Sequence, residues 1–236
     1  MAEECMTDKP LLIYGAGGFA REVAWLAEVC QRHGTGVEPV GFIDDAVAMD
    51  GTGIPVLNGL PVLSLIQACA RFPNASFVVA IGNPKTREAV SSKALARGLR
   101  MTSLVHPGVD LSRFVQISAG VVICAGSVIT VNSKLGLGVN VHIGCTISHD
   151  TVIGEYVTLA PGARISGAVH LGRRVYIGTG AVVINGTSDR PLVIGDDAII
   201  GAGACVITSI AAGVTAVGVP ARPILKRTEK VVAHGA

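Results

Sequence analysis

Leu135 to Leu159 reads LGLGVNVHIGCTISHDTVIGEYVTL, and within it Leu135, Val141, Ile147, Ile153 and Leu159 recur at every sixth position. Followed outward, the spacing runs unbroken from Leu111 through Ile117, Ile123 and Ile129, and on through Ile165, Leu171 and Ile177 to Val183. Four residues after each aliphatic comes a small or β-branched side chain, as at Val121, Ser127, Ser133, Val139, Cys145, Thr151, Val157 and Ala163. Just before that second register stand Gly120, Gly126, Asn132, Gly138, Gly144, Asp150, Gly162 and Gly180, residue types that tolerate a positive φ. A six-residue unit with two inward side chains and one permissive corner describes one face of a parallel β-solenoid, three faces making a coil of about 18 residues. The enclosed prism is too narrow for rings. That accounts for a chain of 236 residues that is 50% hydrophobic yet only 4% aromatic.

The repeat breaks at 185–191 and resumes at Ile194, Ile200 and Val206, so five residues are expected to loop out of a corner there. Before it the texture differs. Apolar runs at Leu11–Tyr14, Val40–Ile43 and Phe77–Ile81 alternate with helical patterns over Arg21–Gln31 and Thr86–Arg97, the signature of a parallel α/β sheet. The expected organisation is an α/β domain over 1–105, a solenoid over 106–225 and an exposed tail over 226–236.

Charge and cysteine content narrow the function. With 19 basic and 17 acidic residues the net charge is +2, and no charge run is present to clamp nucleic acid or anionic lipid. No stretch approaches the length of a membrane span, and the six cysteines, at 5, 30, 69, 124, 145 and 205, form neither a zinc pattern nor a disulfide framework. A soluble cytoplasmic protein with reduced thiols is expected. Cys145 lies four residues before His149 but falls on an inward register and reads as core rather than nucleophile.

His149-Asp150 is the pair with chemistry in it. His149 falls two residues after an inward aliphatic, just before a corner, and is expected to point outward beside a carboxylate that can hold one ring nitrogen while the other takes a proton. One coil further on stands Gly167, whose N–H is open to an oxyanion. His142 follows an inward aliphatic on the neighbouring face and either lines the same cleft or packs there. Near the N-terminus, Gly15-Ala16-Gly17-Gly18-Phe19-Ala20 has the G-x-G-x-x-G/A form between strand and helix, with Asp44-Asp45 closing the next strand. Some 95 residues hold about half of a dinucleotide fold, which suits a mononucleotide or nucleotide-linked sugar better than NAD.

The hexads, over about 109–220, resemble the left-handed β-helix of the hexapeptide acyltransferases, and with the glycine loop ahead of them the whole chain resembles the NeuD/PglD-type sugar acetyltransferases. The resemblance implies a half-Rossmann α/β domain followed by a left-handed β-helix, acetyl-CoA as co-substrate, a nucleotide-sugar acceptor, and a homotrimer with sites between prisms. It implies His149 as the catalytic base, Asp150 as its orienting acid and Gly167 as oxyanion donor. It places Gly167, Ala168 and Thr158 on the acetyl-CoA side. It places Gly15, Ala16, Gly17, Gly18, Asp44, Asp45, Ile81, Gly82, Asn83 and Arg87 on the nucleotide-sugar side, with no metal required; His142 is added to that side as a candidate from its own position. In many members a histidine stands where this chain has Phe19. Two rivals remain: the same chemistry on free sialic acid or a serine-like hydroxyl or amine, and a non-catalytic nucleotide-sugar scaffold. A γ-type carbonic anhydrase would need a third histidine near His142 and His149, and the sequence offers none a coil away.

Overall fold

The computed structural model describes residues 9–34, 37–46 and 53–224. The expected tail at 226–236, Cys5 and His234 lie outside the described residues. Among the described residues no helix is long and apolar enough to cross a membrane.

The N-terminal elements are β1 (Lys9–Tyr14), α1 (Gly18–Arg32), β2 (Val37–Ile43), β3 (Val56–Leu57), β4 (Leu60–Leu63), α2 (Leu65–Arg71), β5 (Ser76–Val79), α3 (Pro84–Ala96) and β6 (Arg100–Met101). The sheet order is β3-β4-β2-β1-β5-β6. All pairs are parallel except the β3–β4 hairpin. The expected strands and helices are present with shifted ends: β1, β2 and α1 begin earlier than expected, and β5 and α3 end before Ile81 and Arg97. The hairpin and α2 are additions, α2 being started by a Ser64/Gln67 capping box. Because β1 lies between β2 and β5, the chain leaves it to one side and later returns on the other. A crevice therefore opens at the carboxyl ends of these strands, where α/β folds bind ligands.

The solenoid starts two residues before the expected boundary, since β7 (Leu104–Val105) already pairs in parallel with Val122–Ile123. Its short strands build three stacked sheets. Face 1 carries Leu104–Val105, Val122–Ile123, Asn140–Val141, Thr158–Leu159, Tyr176–Ile177 and Ile199–Ile200; face 2 runs from Asp110–Leu111 to Cys205–Val206; face 3 runs from Gln116–Ile117 to Leu192–Ile194. Partners are 18 residues apart, as in Thr146 with Arg164 and Ile147 with Ile165. The aliphatic and small registers both point inward and form one continuous core. Each large aliphatic of the first register, Ile147 for instance, contributes about 1.5–3 kcal/mol by burial. All eight expected corner residues have positive φ, and so do Tyr156, Ala168 and Arg174. Cys145 is fully buried in this core, and burial pushes its thiol up to about 11, which makes it packing rather than a nucleophile.

The α/β domain sits on face 1. Helix α1 is sandwiched between its own sheet and Leu104, Val122 and Cys124. The outward residues Val122, Asn140 and Thr158, which would face water on a bare solenoid, are buried under it.

Candidate active site

Faces 2 and 3 meet at an edge where successive coils stack through backbone hydrogen bonds: Asp150 N–H to Val131 O at 3.2 Å, Ala168 N–H to His149 O at 3.0 Å, Gly186 N–H to Gly167 O at 3.0 Å. His149 projects from this edge with its side chain 60% exposed, as expected of the outward slot. Its Nδ1–H donates to Asp150 Oδ2 at 2.9 Å, and Asn132 Nδ2 donates to Asp150 Oδ1 at 3.1 Å. The His149 hydrogen bond first, and Asn132 second, hold the Asp150 carboxyl below its usual range. With the proton on Nδ1, the tautomer this network selects, the lone pair on Nε2 is left for a proton in transit.

Gly167 lies directly over the ring. A Cβ built there would stand 2.4 Å from His149 Cε1 and 2.5 Å from Nε2. The positive φ at this corner, 54°, belongs to Ala168, so the turn itself does not ask for glycine at 167. The imidazole asks for it. Among the described residues Gly167 N–H has no acceptor, whereas Ala168 spends its N–H on His149 O and its carbonyl on Leu192 N–H. Ala168 is left with only a largely buried methyl to offer a ligand. The loop 185–191 leaves this same edge one coil above Gly167, closed by reciprocal backbone bonds between Thr187 and Arg190.

The second constellation lies in the α/β crevice, a cleft of about 590 Å³ lined by Tyr14 to Phe19, Ile43 to Ala46 and Ala80 to Gly82, with Lys93. Gly15 has φ +118°, and a Cβ on it would meet Ala80 O at 2.9 Å, so the loop passes as close to β5 as glycine permits. Gly17 caps α1 without a side-chain bond, which leaves the first N–H groups of the helix for an anion. Asp45 is held at both oxygens, by Tyr14 OH at 2.7 Å and Lys93 Nζ at 2.7 Å. Lys93 chiefly keeps its carboxyl below the usual range, and burial with the Asp45 hydrogen bond pushes the Tyr14 phenol up. Asp44 accepts from Ala46 N–H through one oxygen, so its other oxygen is the freer acceptor of the pair. Tyr14 and Lys93 were not legible as site residues: the first reads as strand, and the second as one position of a helical pattern.

Four assignments change. Arg87 is not a ligand-facing cation: it is 0% exposed, and its five N–H donors are directed at five backbone carbonyls. Nε donates to Gly138 O at 2.8 Å, Nη1 to Ile81 O at 2.7 Å and Gly82 O at 3.3 Å, and Nη2 to Tyr156 O at 2.5 Å and Val157 O at 3.0 Å. Burial pulls its pKa down to about 9. Thr158 is likewise withdrawn from any cofactor, being 1% exposed with Oγ1 donating to Gly82 O at 2.8 Å. The Asn83 side chain caps α3 by accepting from Thr86 N–H at 3.1 Å, which leaves its Nδ2 and its backbone N–H as the donors available to a ligand. His142 stacks on Phe19, ring centroids 3.9 Å apart, at the edge between faces 1 and 2; it does not share the edge of His149. Burial, then the Arg87 charge, lowers its pKa to about 4.

A further cavity of about 640 Å³ lies between the Gly82–Lys85 turn and the upper coils of face 1, floored by Tyr176, Ile199 and Thr215 and flanked by Arg174 and Asp197. Arg174 pairs with Asp197 at 2.8 and 2.6 Å and with Glu88 at 2.9 Å, and holds the Asp197 carboxyl at about 2. The two cavities meet at Gly82. Both lie on the face 1 side, while His149 stands on the edge opposite face 1. A side of six residues at about 3.3 Å each puts roughly 17 Å of prism between them.

Known proteins share this fold. Residues 10–94 match the PglD N-terminal domain family. Over 215 residues, 89% of this chain and 94% of the relative, the chain is 38% identical to a GDP-perosamine N-acetyltransferase of Escherichia coli O157:H7. Its structure is similar to that of WeeI from Acinetobacter baumannii AYE, with TM-score 0.82 and 38% identity over 92% of this chain and 100% of that one. It is also similar to a histidine-to-asparagine variant of perosamine N-acetyltransferase from Caulobacter crescentus in complex with CoA and GDP-perosamine. There the TM-score is 0.80 at 30% identity, over 92% of this chain and 97% of that one.

Proposed function

The chain belongs to the PglD-type sugar acetyltransferases built on a left-handed β-helix, and from that premise we propose that it transfers the acetyl group of acetyl-CoA to the amino group of a nucleoside-diphosphate sugar, with His149 as general base. The observation that carries the reading is the His149 imidazole, held by Asp150 at Nδ1 and lying under a glycine that only the ring requires. The sugar amine attacks the thioester carbonyl carbon as Nε2 takes its proton. Gly167 N–H stabilises the oxyanion, and the thiolate of CoA leaves as the tetrahedral adduct collapses, recovering the proton from His149. No acyl-enzyme is needed. The diphosphate fits the N-terminus of α1, and Asp44 offers an acceptor to the nucleoside.

The acceptor cleft and His149 stand on opposite sides of one prism, so a second copy completes the site. In a homotrimer whose axis runs along the solenoid, equal coils stand at equal heights, and His149 of one copy comes level with His142 and Thr158 of the next. Exposed apolar residues on both sides of the His149 edge, Val131, Val152, Val182, Ile184 and Val193, give such a contact its driving force. CoA then runs upward from Gly167, between the loop 185–191 of one copy and the cavity floored by Tyr176 and Ile199 of the other.

Thiol release from acetyl-CoA, measured against a panel of nucleotide-linked amino sugars, tests the reading. Turnover is expected only with amino sugars carrying their nucleotide. Turnover with free sialic acid or serine instead moves the acceptor to the rival chemistry, and thioester consumption with none of them leaves a binding scaffold.

A further inference from the structure

Arg87 and Thr158 leave the substrate-contacting set in this structure, yet both converge on the lip that separates the two cavities. Arg87 Nη1 holds the carbonyls of Ile81 and Gly82, and Thr158 Oγ1 holds that of Gly82 again. The remaining Arg87 donors grip Gly138, Tyr156 and Val157 on the solenoid. In a trans peptide the C=O and the following N–H point opposite ways. With the Ile81 and Gly82 carbonyls drawn toward the solenoid, the N–H groups of Gly82 and Asn83 are turned away from it. Among the described residues neither of these N–H groups has an acceptor. Ile81 and Gly82 wall the acceptor cleft, across from the open N-terminus of α1.

We propose that Arg87 and Thr158 are positioning residues for acceptor binding, which aim the Gly82 N–H into the cleft as a donor for a diphosphate oxygen of the nucleotide sugar. Two opposed sets of backbone donors, the α1 N-terminus and the Gly82 lip, then hold the diphosphate between them. The guanidinium suits this task because its fixed fork bonds several carbonyls at once; an ammonium, with three donors at one point, cannot span the same five. The lip is thereby tied to the solenoid, and the distance from the acceptor amine to a neighbouring copy's His149 is set by the same bonds.

The inference rests on the acceptor cleft proposed above, and its test separates the two. Binding of GDP and UDP is measured by calorimetry alongside acceptor and acetyl-CoA kinetics for Arg87→Lys, Thr158→Val and Thr158→Ser. Thr158→Val, close to isosteric, is expected to raise the dissociation constant of the preferred nucleoside diphosphate and the acceptor KM by about fivefold, the worth of one hydrogen bond. The acetyl-CoA KM should stay unchanged, and Thr158→Ser should restore all values. Arg87→Lys is expected to cost about a hundredfold in acceptor kcat/KM through displacement of the lip by about 1 Å. Should Arg87→Lys fail to fold, the threonine pair still decides. Unchanged nucleotide affinity in a folded Thr158→Val protein, or an equal rise in the KM of both substrates, overturns the proposal. A wild-type protein that binds nucleotide but acetylates no sugar overturns the functional reading instead and leaves the nucleotide comparison valid.

Discussion

Gly167→Ala perturbs the base without removing any polar group. The new Cβ would lie 2.4 Å from His149 Cε1 and 2.5 Å from Nε2, whereas non-bonded carbons rest at about 3.5–4.0 Å. The ring must therefore withdraw by roughly 1 Å, and Nε2 moves with it. The 2.9 Å bond to Asp150 resists that motion, so the strain is shared between ring and carboxylate. A catalytic group misplaced by about 1 Å costs on the order of 10²-fold. Alanine keeps the N–H at 167, and the backbone there is not in the left-handed region, so the oxyanion donor and the fold both survive. The expected result is a kcat reduced about a hundredfold, with KM for both substrates and Tm close to wild type. Thiol release under saturating acetyl-CoA and acceptor measures it. In a His149→Ala background the added alanine should cost almost nothing, because the ring it displaces is gone. A Gly167→Ala enzyme with kcat within about threefold of wild type would refute the placement of the base under this glycine.

Three further outcomes follow from the same geometry. His149→Ala should lower kcat by about 10²–10⁴-fold with both substrates still bound, and Asp150→Asn by less; a His149→Ala enzyme of full kcat would move the base elsewhere. The His142 pKa, lowered to about 4 by burial and by Arg87, lies below the ~6.5 of an unfolded chain. The unfolded state alone takes up that proton between these values, so its contribution is fully present above about 6.5 and lost as pH falls toward 4, by up to about 3 kcal/mol. His142→Gln should flatten stability against pH across that window; equal slopes in both proteins would contradict the assignment. Sedimentation should give a trimer at micromolar concentration, with Val131→Asp or Ile184→Asp shifting it toward monomer and abolishing turnover; an active monomer would exclude a site shared between copies.

What the sequence disclosed and what it withheld follow from the range over which each feature is determined. The hexad is legible because a coil places its inward side chains by chain geometry alone, so Ile147 or Cys145 can be assigned from spacing. Corners are legible where the residue itself tolerates a positive φ, as at Gly144 or Asp150, and invisible at Tyr156. There the ring packs over the preceding coil at Gly138, where a Cβ would stand 2.7 Å from it, and that contact is tertiary. Gly167 was legible as a residue but not in its reason, which is the histidine 18 positions earlier rather than its own turn. The role of Arg87 had no local signal at all, because three of its acceptors lie 51, 69 and 70 residues away.

The separation of cleft and base is an instructive intermediate. Counting in steps of 18 puts 149, 167 and 185 on one edge, and counting nine onward from 149 reaches 158, half a coil away on the opposite face. The sequence therefore already states that Thr158 and His149 of one chain cannot meet. What it lacks is the face on which the α/β domain lies. That face is chosen by outward residues whose burial makes sense only with a partner: Val122 under α1, Asn140 donating to Val79 O at 3.3 Å, and Thr158 donating to Gly82 O. Lys134 and Arg164, outward on the other two faces, are exposed and could not be covered at so small a desolvation cost. The α/β domain is therefore confined to face 1, and the cleft it carries opens on the side of the prism away from its own His149. An acetyl transfer that uses both must cross from one copy to another, so dissociating the copies should abolish turnover while each monomer still binds nucleotide in its own cleft.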